Sequence, residues 1–258
     1  MNSKRYIRII IITGWIVFFT INALAQVTIK VGGYHFPPFV EWNNIQYSGL
    51  TLDLLEQMNQ FQKKYKFVFI PTSSKRRYID FKTYSFDVLF FECIQWGWQN
   101  QPLESSRVFL KGGEVYITKK TPDKTQDFFS DFKGKSILGY LGYHYGFANF
   151  NADEQFLKSN YNAEMTLSHD GNIRAIVKGR ADIAVITISY LKRFLLTHPE
   201  VNDQILISDK KDQIYNHTIL MRKHGPISAT DMNLLLDDLE KNSILPILFK
   251  KYGITPKK

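Results

Sequence analysis

Apolar and polar positions change rhythm repeatedly along this chain. Val27-Thr28-Ile29-Lys30-Val31 alternates, is rich in β-branched residues and stops at Gly32-Gly33, which predicts a first strand. Pro37-Pro38 then imposes an extended loop. Leu50, Leu52, Leu54, Leu55 and Met58 recur at helical spacing after Gly49, so a helix is expected there. Phe67-Val68-Phe69-Ile70 is a short apolar strand stopped by Pro71. Lys75 to Tyr84 reads as a weakly marked helix, and Asp87-Val88-Leu89-Phe90-Phe91 as a buried strand. This alternation of strand and helix predicts an α/β lobe with a largely parallel sheet.

A second series follows. Val115-Tyr116-Ile117-Thr118 has strand character, and the polar run Lys119 to Lys124, with Pro122, reads as a crossing into a new unit. A strand is expected from Phe132 to Leu138, a helix near Glu154 to Lys158 and a strand at Ala163 to Leu167. A helix at Ile173 to Lys178 and a strand at Ile183 to Ile186 complete the series. The polar stretch Ser208 to Gln213 reads as a return connection and Thr218 to Met221 as a strand. Thr230 to Lys241 has helix spacing with Leu234, Leu235 and Leu239 on one side, and Ile244 to Tyr252 is a short amphipathic helix.

The first 25 residues belong to neither series. They join a basic start (Lys4, Arg5, Arg8) to an apolar core, Ile9 to Ile21, and to Ala23-Leu24-Ala25. That layout predicts a secretory signal cleaved after Ala25, its core too short for a comfortable bilayer span. Removing it lowers the net charge from +9 to +6, a mild excess that does not make a nucleic-acid binder. The 44% hydrophobic and 22% charged composition is that of a globular protein and excludes disordered and fibrous classes. A single cysteine, Cys93, excludes an intramolecular disulfide framework. The expected mature protein is therefore a soluble, exported monomer stabilised by core burial alone.

Five segments carry a family resemblance: Phe36-Pro37-Pro38-Phe39; Gly49-Leu50-Thr51-Leu52-Asp53-Leu54-Leu55; Arg76 set 11 residues before Asp87; Phe132-Lys133-Gly134-Lys135-Ser136-Ile137; and Gly179-Arg180-Ala181-Asp182-Ile183-Ala184-Val185. The ending Leu248-Phe249-Lys250-Lys251-Tyr252-Gly253 matches as well. In this order the chain resembles the family-3 periplasmic solute-binding proteins of polar amino-acid ABC transporters. The resemblance implies an α/β, two-lobe hinged periplasmic-binding-protein fold of type II, with a ligand cleft between the lobes. Lobe one would comprise 26–118 and 210–258, lobe two 119–209. The partners implied are a small polar ligand and a membrane permease, or alternatively a membrane sensor, with no cofactor. The bottom-up reading agrees, since open α/β sheets place ligands at the carboxyl ends of their strands.

Mapped onto the family positions, Phe36 matches an aromatic that stacks on ligand. Relatives place Ser or Thr and then a carboxylate-binding Arg after the third strand, where this chain has Glu92, Ile94 and Gln99. The amine-binding Asp of relatives falls on Thr187. An α-amino acid would forfeit charge-assisted hydrogen bonds of about 1.5–3 kcal/mol each at such positions, so a different small polar ligand is expected. Trp96, Trp98, Tyr143 and His144 are the aromatic replacements; rings facing Glu92 would box a cation or stack on a flat or sugar-like ligand. Arg76 is a further cleft candidate and Arg107 a displaced anion anchor. Some proteins of this fold are dehydratases, but Thr187-Ile188-Ser189 offers no acid–base carboxylate, and there is no nucleophile elbow, metal-ligand spacing or phosphate loop. No catalytic or metal-ligating residue is therefore assigned.

Overall fold

A computed structural model describes residues 26–254; the expected leader, residues 1–25, lies outside them, as do residues 255–258. Strand β1 (Val27–Gly33) leads to a small hairpin, β2 (Glu41–Trp42) and β3 (Tyr47–Ser48), and then to helix α1 (Leu50–Phe61). Strand β4 (Tyr65–Pro71), helix α2 (Arg77–Lys82), strand β5 (Val88–Glu92) and the short strand β6 (Leu103–Ser105) follow. Strand β7 (Leu110–Lys119) enters the second series: β8 (Ile137–Tyr140), α3 (Glu154–Tyr161), β9 (Ala163–Thr166), α4 (His169–Val177), β10 (Ile183–Thr187) and α5 (Ile188–Thr197). The 18-residue strand β11 (Ile205–Arg222) returns, and α6 (Ala229–Lys241) and α7 (Ile244–Lys251) finish the described chain.

The strands form one curled sheet in the order β4-β1-β5-β11-β7-β10-β8-β9, with β6 against β11. Each end is a parallel trio: β1 pairs with β4 and β5, and β8 pairs with β9 and β10. Between them β7 and β11 run antiparallel, with register shifts between Ile207 and Lys211 and between Lys211 and Gln213. The molecule is thus two α/β lobes sharing a two-stranded crossing. Close pairing at that crossing excludes a side chain at Gly112, where a Cβ would meet the Tyr215 ring and the Nε2 of His217.

The unbroken apolar run in β10 follows from burial on both faces of the sheet. Ala184 and Ile186 join Val115, Ile117, Ile173, Ile176, Leu191 and Phe194 on one face. Ile183 and Val185 point the other way, into a core continuous with that of lobe one. Side chains therefore alternate with the strand's period of two. Helix α6 buries Met232, Leu235, Leu236 and Leu239, whereas Leu234 faces solvent. That differs by one position from the expected stripe, because the i, i+3, i+4, i+7 set begins at Met232.

Three further elements depart from expectation. Helix α5 is unmarked in the sequence reading; its N-cap residue, Thr187, makes no side-chain cap and gives its hydroxyl to Glu114 instead. Strand β8 starts at Ile137, because Lys133-Gly134-Lys135 forms a turn with Gly134 at φ +74°. The return connection expected at Ser208 to Gln213 is itself strand, since β11 runs through it.

Candidate functional site

A small, partly open cavity lies at the crossing, where the two lobes meet. Its wall includes Tyr34 and Phe36 beyond β1, Arg77 at the start of α2, Trp96 after β5, and Glu114 on β7. Gly142, Tyr143 and His144 follow β8, and Gln213 comes from β11. Both lobes and both crossing strands therefore contribute. The turn after β8 depends on Gly142 at φ +78°, and a Cβ there would stand 2.5 Å from the Ser74 hydroxyl oxygen of the opposite lobe. Glycine both adopts the left-handed conformation and permits this approach.

Aromatic rings form most of the wall. Phe36 makes edge contacts with Trp96 (centroids 5.8 Å apart) and with Tyr143 (5.4 Å). Trp96 also packs edge-on against Tyr215 at 4.7 Å, and its indole N–H donates to Gln213 Oε1 at 3.2 Å. His144 Nε2 lies 2.8 Å from the Tyr78 hydroxyl, and its Nδ1 lies 2.7 Å from the Phe150 carbonyl oxygen. Burial pushes this imidazole down to about 4, so it is neutral at pH 7 and donates from Nδ1.

Two carboxylates serve the site differently. Glu92 is fully buried behind the cavity, where Oε1 is 3.3 Å from Arg77 Nε and Oε2 accepts from the Trp98 indole at 2.9 Å. Burial raises its pKa, an effect opposed by the Arg77 charge. The Arg77 guanidinium is equally buried, lies over the rings of Tyr34 and Tyr78 at 4.6 and 4.4 Å, and donates to the Ser74 carbonyl. Glu114 lines the cavity itself. Its Oε1 accepts from Thr187 Oγ1 at 3.0 Å, and Thr187 in turn lies 3.2 Å from His169 Nε2. Its Oε2 has no partner, and neither does the Tyr143 hydroxyl. Burial and then the neighbouring Asp212 hold the Glu114 carboxyl well above the usual range.

The residues singled out from the sequence thus separate into three groups. Phe36, Trp96, Tyr143 and His144 meet at the cavity wall. Glu92, Trp98 and Thr187 are buried behind it, Trp98 packed against Tyr78 and Phe81. Arg76 and Gln99 face solvent: Arg76 pairs with Asp80, and Gln99 donates to the Gln95 carbonyl. Arg107 is bound to Asp237 and Glu240 of α6. Sequence reasoning missed Tyr34, Arg77, Glu114 and Gln213. For Glu114 one signal existed, an acid directly ahead of the apolar run Val115-Tyr116-Ile117.

The chain matches no family model and no curated protein. Its fold is nevertheless that of solved binding proteins. A histidine-bound ABC uptake transporter substrate-binding protein from Streptococcus pneumoniae superimposes with a TM-score of 0.70 at 18% identity, over 87% of this chain and 92% of the other. A lysine-complexed ABC transporter binding component from Wolinella succinogenes gives 0.68 at 15% identity, over 87% and 94%. An ancestral amino acid-binding protein described as a precursor of cyclohexadienyl dehydratase gives 0.64 at 20% identity, over 87% and 94%. In fold, the chain stands with these proteins: it has the two-lobe, type II periplasmic-binding-protein architecture, with its cavity at the junction of the lobes.

Proposed function

We propose that the protein is an exported solute-binding receptor that closes its lobes on a small polar molecule and presents it to the permease of an ABC transporter. One observation carries this reading: a mostly aromatic cavity lies on the interlobe crossing, its wall drawn from both lobes, with unpartnered polar atoms of Glu114 and Tyr143 lining it. A ligand there would touch both lobes at once and favour the closed state by its differential affinity. We assign lobe one to 26–118 and 210–258 and lobe two to 119–209, with Phe36, Trp96, Tyr143 and His144 as ligand contacts.

Export rests on the leader-like first 25 residues and fits the described chain, in which no helix is long and apolar enough to cross a membrane. The fold neighbours are binding proteins whose ligands include histidine and lysine, which supports binding over catalysis. The test is small-angle scattering on the purified mature chain, with and without a fractionated small-molecule extract. Ligand should shrink the radius of gyration and raise Tm. An unchanged profile across all fractions would remove the receptor reading, and turnover of a prephenate-like substrate would replace it with the dehydratase alternative suggested by the third neighbour.

A further inference from the structure

Hydrogen bonding around the cavity is incomplete. Arg77 lies beside Glu92, both being buried at 1% exposure or less, and its charge is countered there although Nε and Oε1, 3.3 Å apart, have no hydrogen-bond partner. That leaves Glu114, which is 1% exposed and has no cation beside it. Its Oε1 accepts from Thr187 and Tyr215, whereas Oε2 is buried and unpartnered in a residue that lines the cavity. Asp212 adds negative potential nearby, while its own oxygens already accept from Tyr116, Gly146 and Phe147. A second buried oxygen without a partner, the Tyr143 hydroxyl, belongs to the same wall. Buried polar atoms require partners, and a buried carboxyl that stays protonated for want of a counter-charge ionises when a cation is placed beside it.

We propose that the ligand is a protonated amine lacking a carboxylate, whose ammonium donates to Glu114 Oε2 and the Tyr143 oxygen while its apolar part lies against Phe36 and Trp96. The inference rests on the receptor reading above. Ring faces attract a cation as well as an alkyl chain, so one wall serves both ends of such a molecule. A ligand carboxylate has no free counter-charge here, because it must compete with Glu92 for the single cavity arginine. Thr187 acts through Glu114: its hydroxyl holds Oε1 and leaves Oε2 without a partner. It is a positioning residue.

The test uses matched skeletons that differ only in the polar head: butylamine, butanol and butyrate, and phenethylamine, phenylethanol and phenylacetate. Each is titrated calorimetrically into the mature chain at pH 7, with thermal shift in parallel. At least one amine should bind about tenfold or more tighter than its alcohol, the discrimination expected of a charge-assisted hydrogen bond, and neither carboxylate should bind. Glu114→Gln should bring the amine down to the level of the alcohol and leave the alcohol unchanged. Tyr143→Phe should weaken the amine several-fold while sparing the alcohol, and it provides the same readout if the glutamine variant does not fold. Alcohols matching amines, carboxylates binding best, or no binding by either amine would each overturn the inference. The receptor reading would survive any of these if an extract fraction still compacted the protein in scattering, so the two failures are separable.

Discussion

The Arg77–Glu92 pair shows how little of a site can be read from the identity of a single residue. Arg76 and Arg77 are adjacent, yet one is 73% exposed and the other 1%. Helix α2 is too short, at six residues, for apolar periodicity to say which arginine faces inward. With Arg77→Met, Glu92 is left buried without a counter-charge, and urea denaturation should show a loss of about 3–5 kcal/mol. The double variant Arg77→Met, Glu92→Leu should recover most of it, because a packed apolar pair replaces a dehydrated ionic one. Histidines make a second residue-scale prediction. Burial pushes His169 and His217 down to about 3, so both stay neutral in the fold while the unfolded chain takes up protons near 6.5. Their contribution is complete above pH 6.5 and is lost as pH falls toward 3, at about 1.4 kcal/mol per pH unit for each histidine. Denaturation between pH 6.5 and 5 should show that slope, and a His169→Gln, His217→Gln double variant should flatten it.

At the scale of elements, the regular pieces were legible because their patterns are long or clean: α1 from its leucines, β10 from its unbroken apolar run, α6 from its spacing. What failed to show was wherever chain crosses the cleft. Ser208-Asp209-Lys210-Lys211-Asp212-Gln213 reads as a return connection by composition, with nothing to show that it lies within a strand, β11. Its polar residues serve the cleft and the opposite lobe: Asp212 accepts from Gly146 and Phe147, and Gln213 meets Trp96 and His144. Strand pairing here is decided by a partner, β7, that lies distant in sequence, and no local propensity encodes that. The turn after β8 gives a prediction at this scale. Gly142→Ala places a methyl group against Ser74 in a backbone region that L side chains rarely adopt. It should leave each lobe folded but raise the radius of gyration measured with saturating ligand, by holding the lobes apart.

For the whole molecule, the proposed closure would act through the contacts between lobes, which include polar pairs besides the Phe36–Tyr143 and Tyr78–His144 contacts. Glu41 pairs with Arg193, Lys75 pairs with Glu154, and the Ser74 hydroxyl donates to the Leu141 carbonyl at 2.9 Å. Exposed ion pairs of this kind contribute about 0–1 kcal/mol each, so they bias the lobes without locking them. Replacing Glu41 and Glu154 with alanine should open the unliganded protein in scattering, leave its Tm within a few degrees of wild type, and weaken ligand less than tenfold. A larger loss of affinity would mean that these pairs hold the binding geometry itself.

The ladder between β7 and β11 has a consequence for biogenesis. Lys119 and Ile205 face each other in register, and the next backbone bond joins Lys120 to the Gln204 carbonyl. The stretch 120–204 therefore hangs from two neighbouring points, like a bead threaded into an otherwise continuous ring. In chain order that inner bead is complete before the outer ring has its last strand and helices, so folding should begin inside and finish only when the distal half of β11 and then α6 and α7 become available.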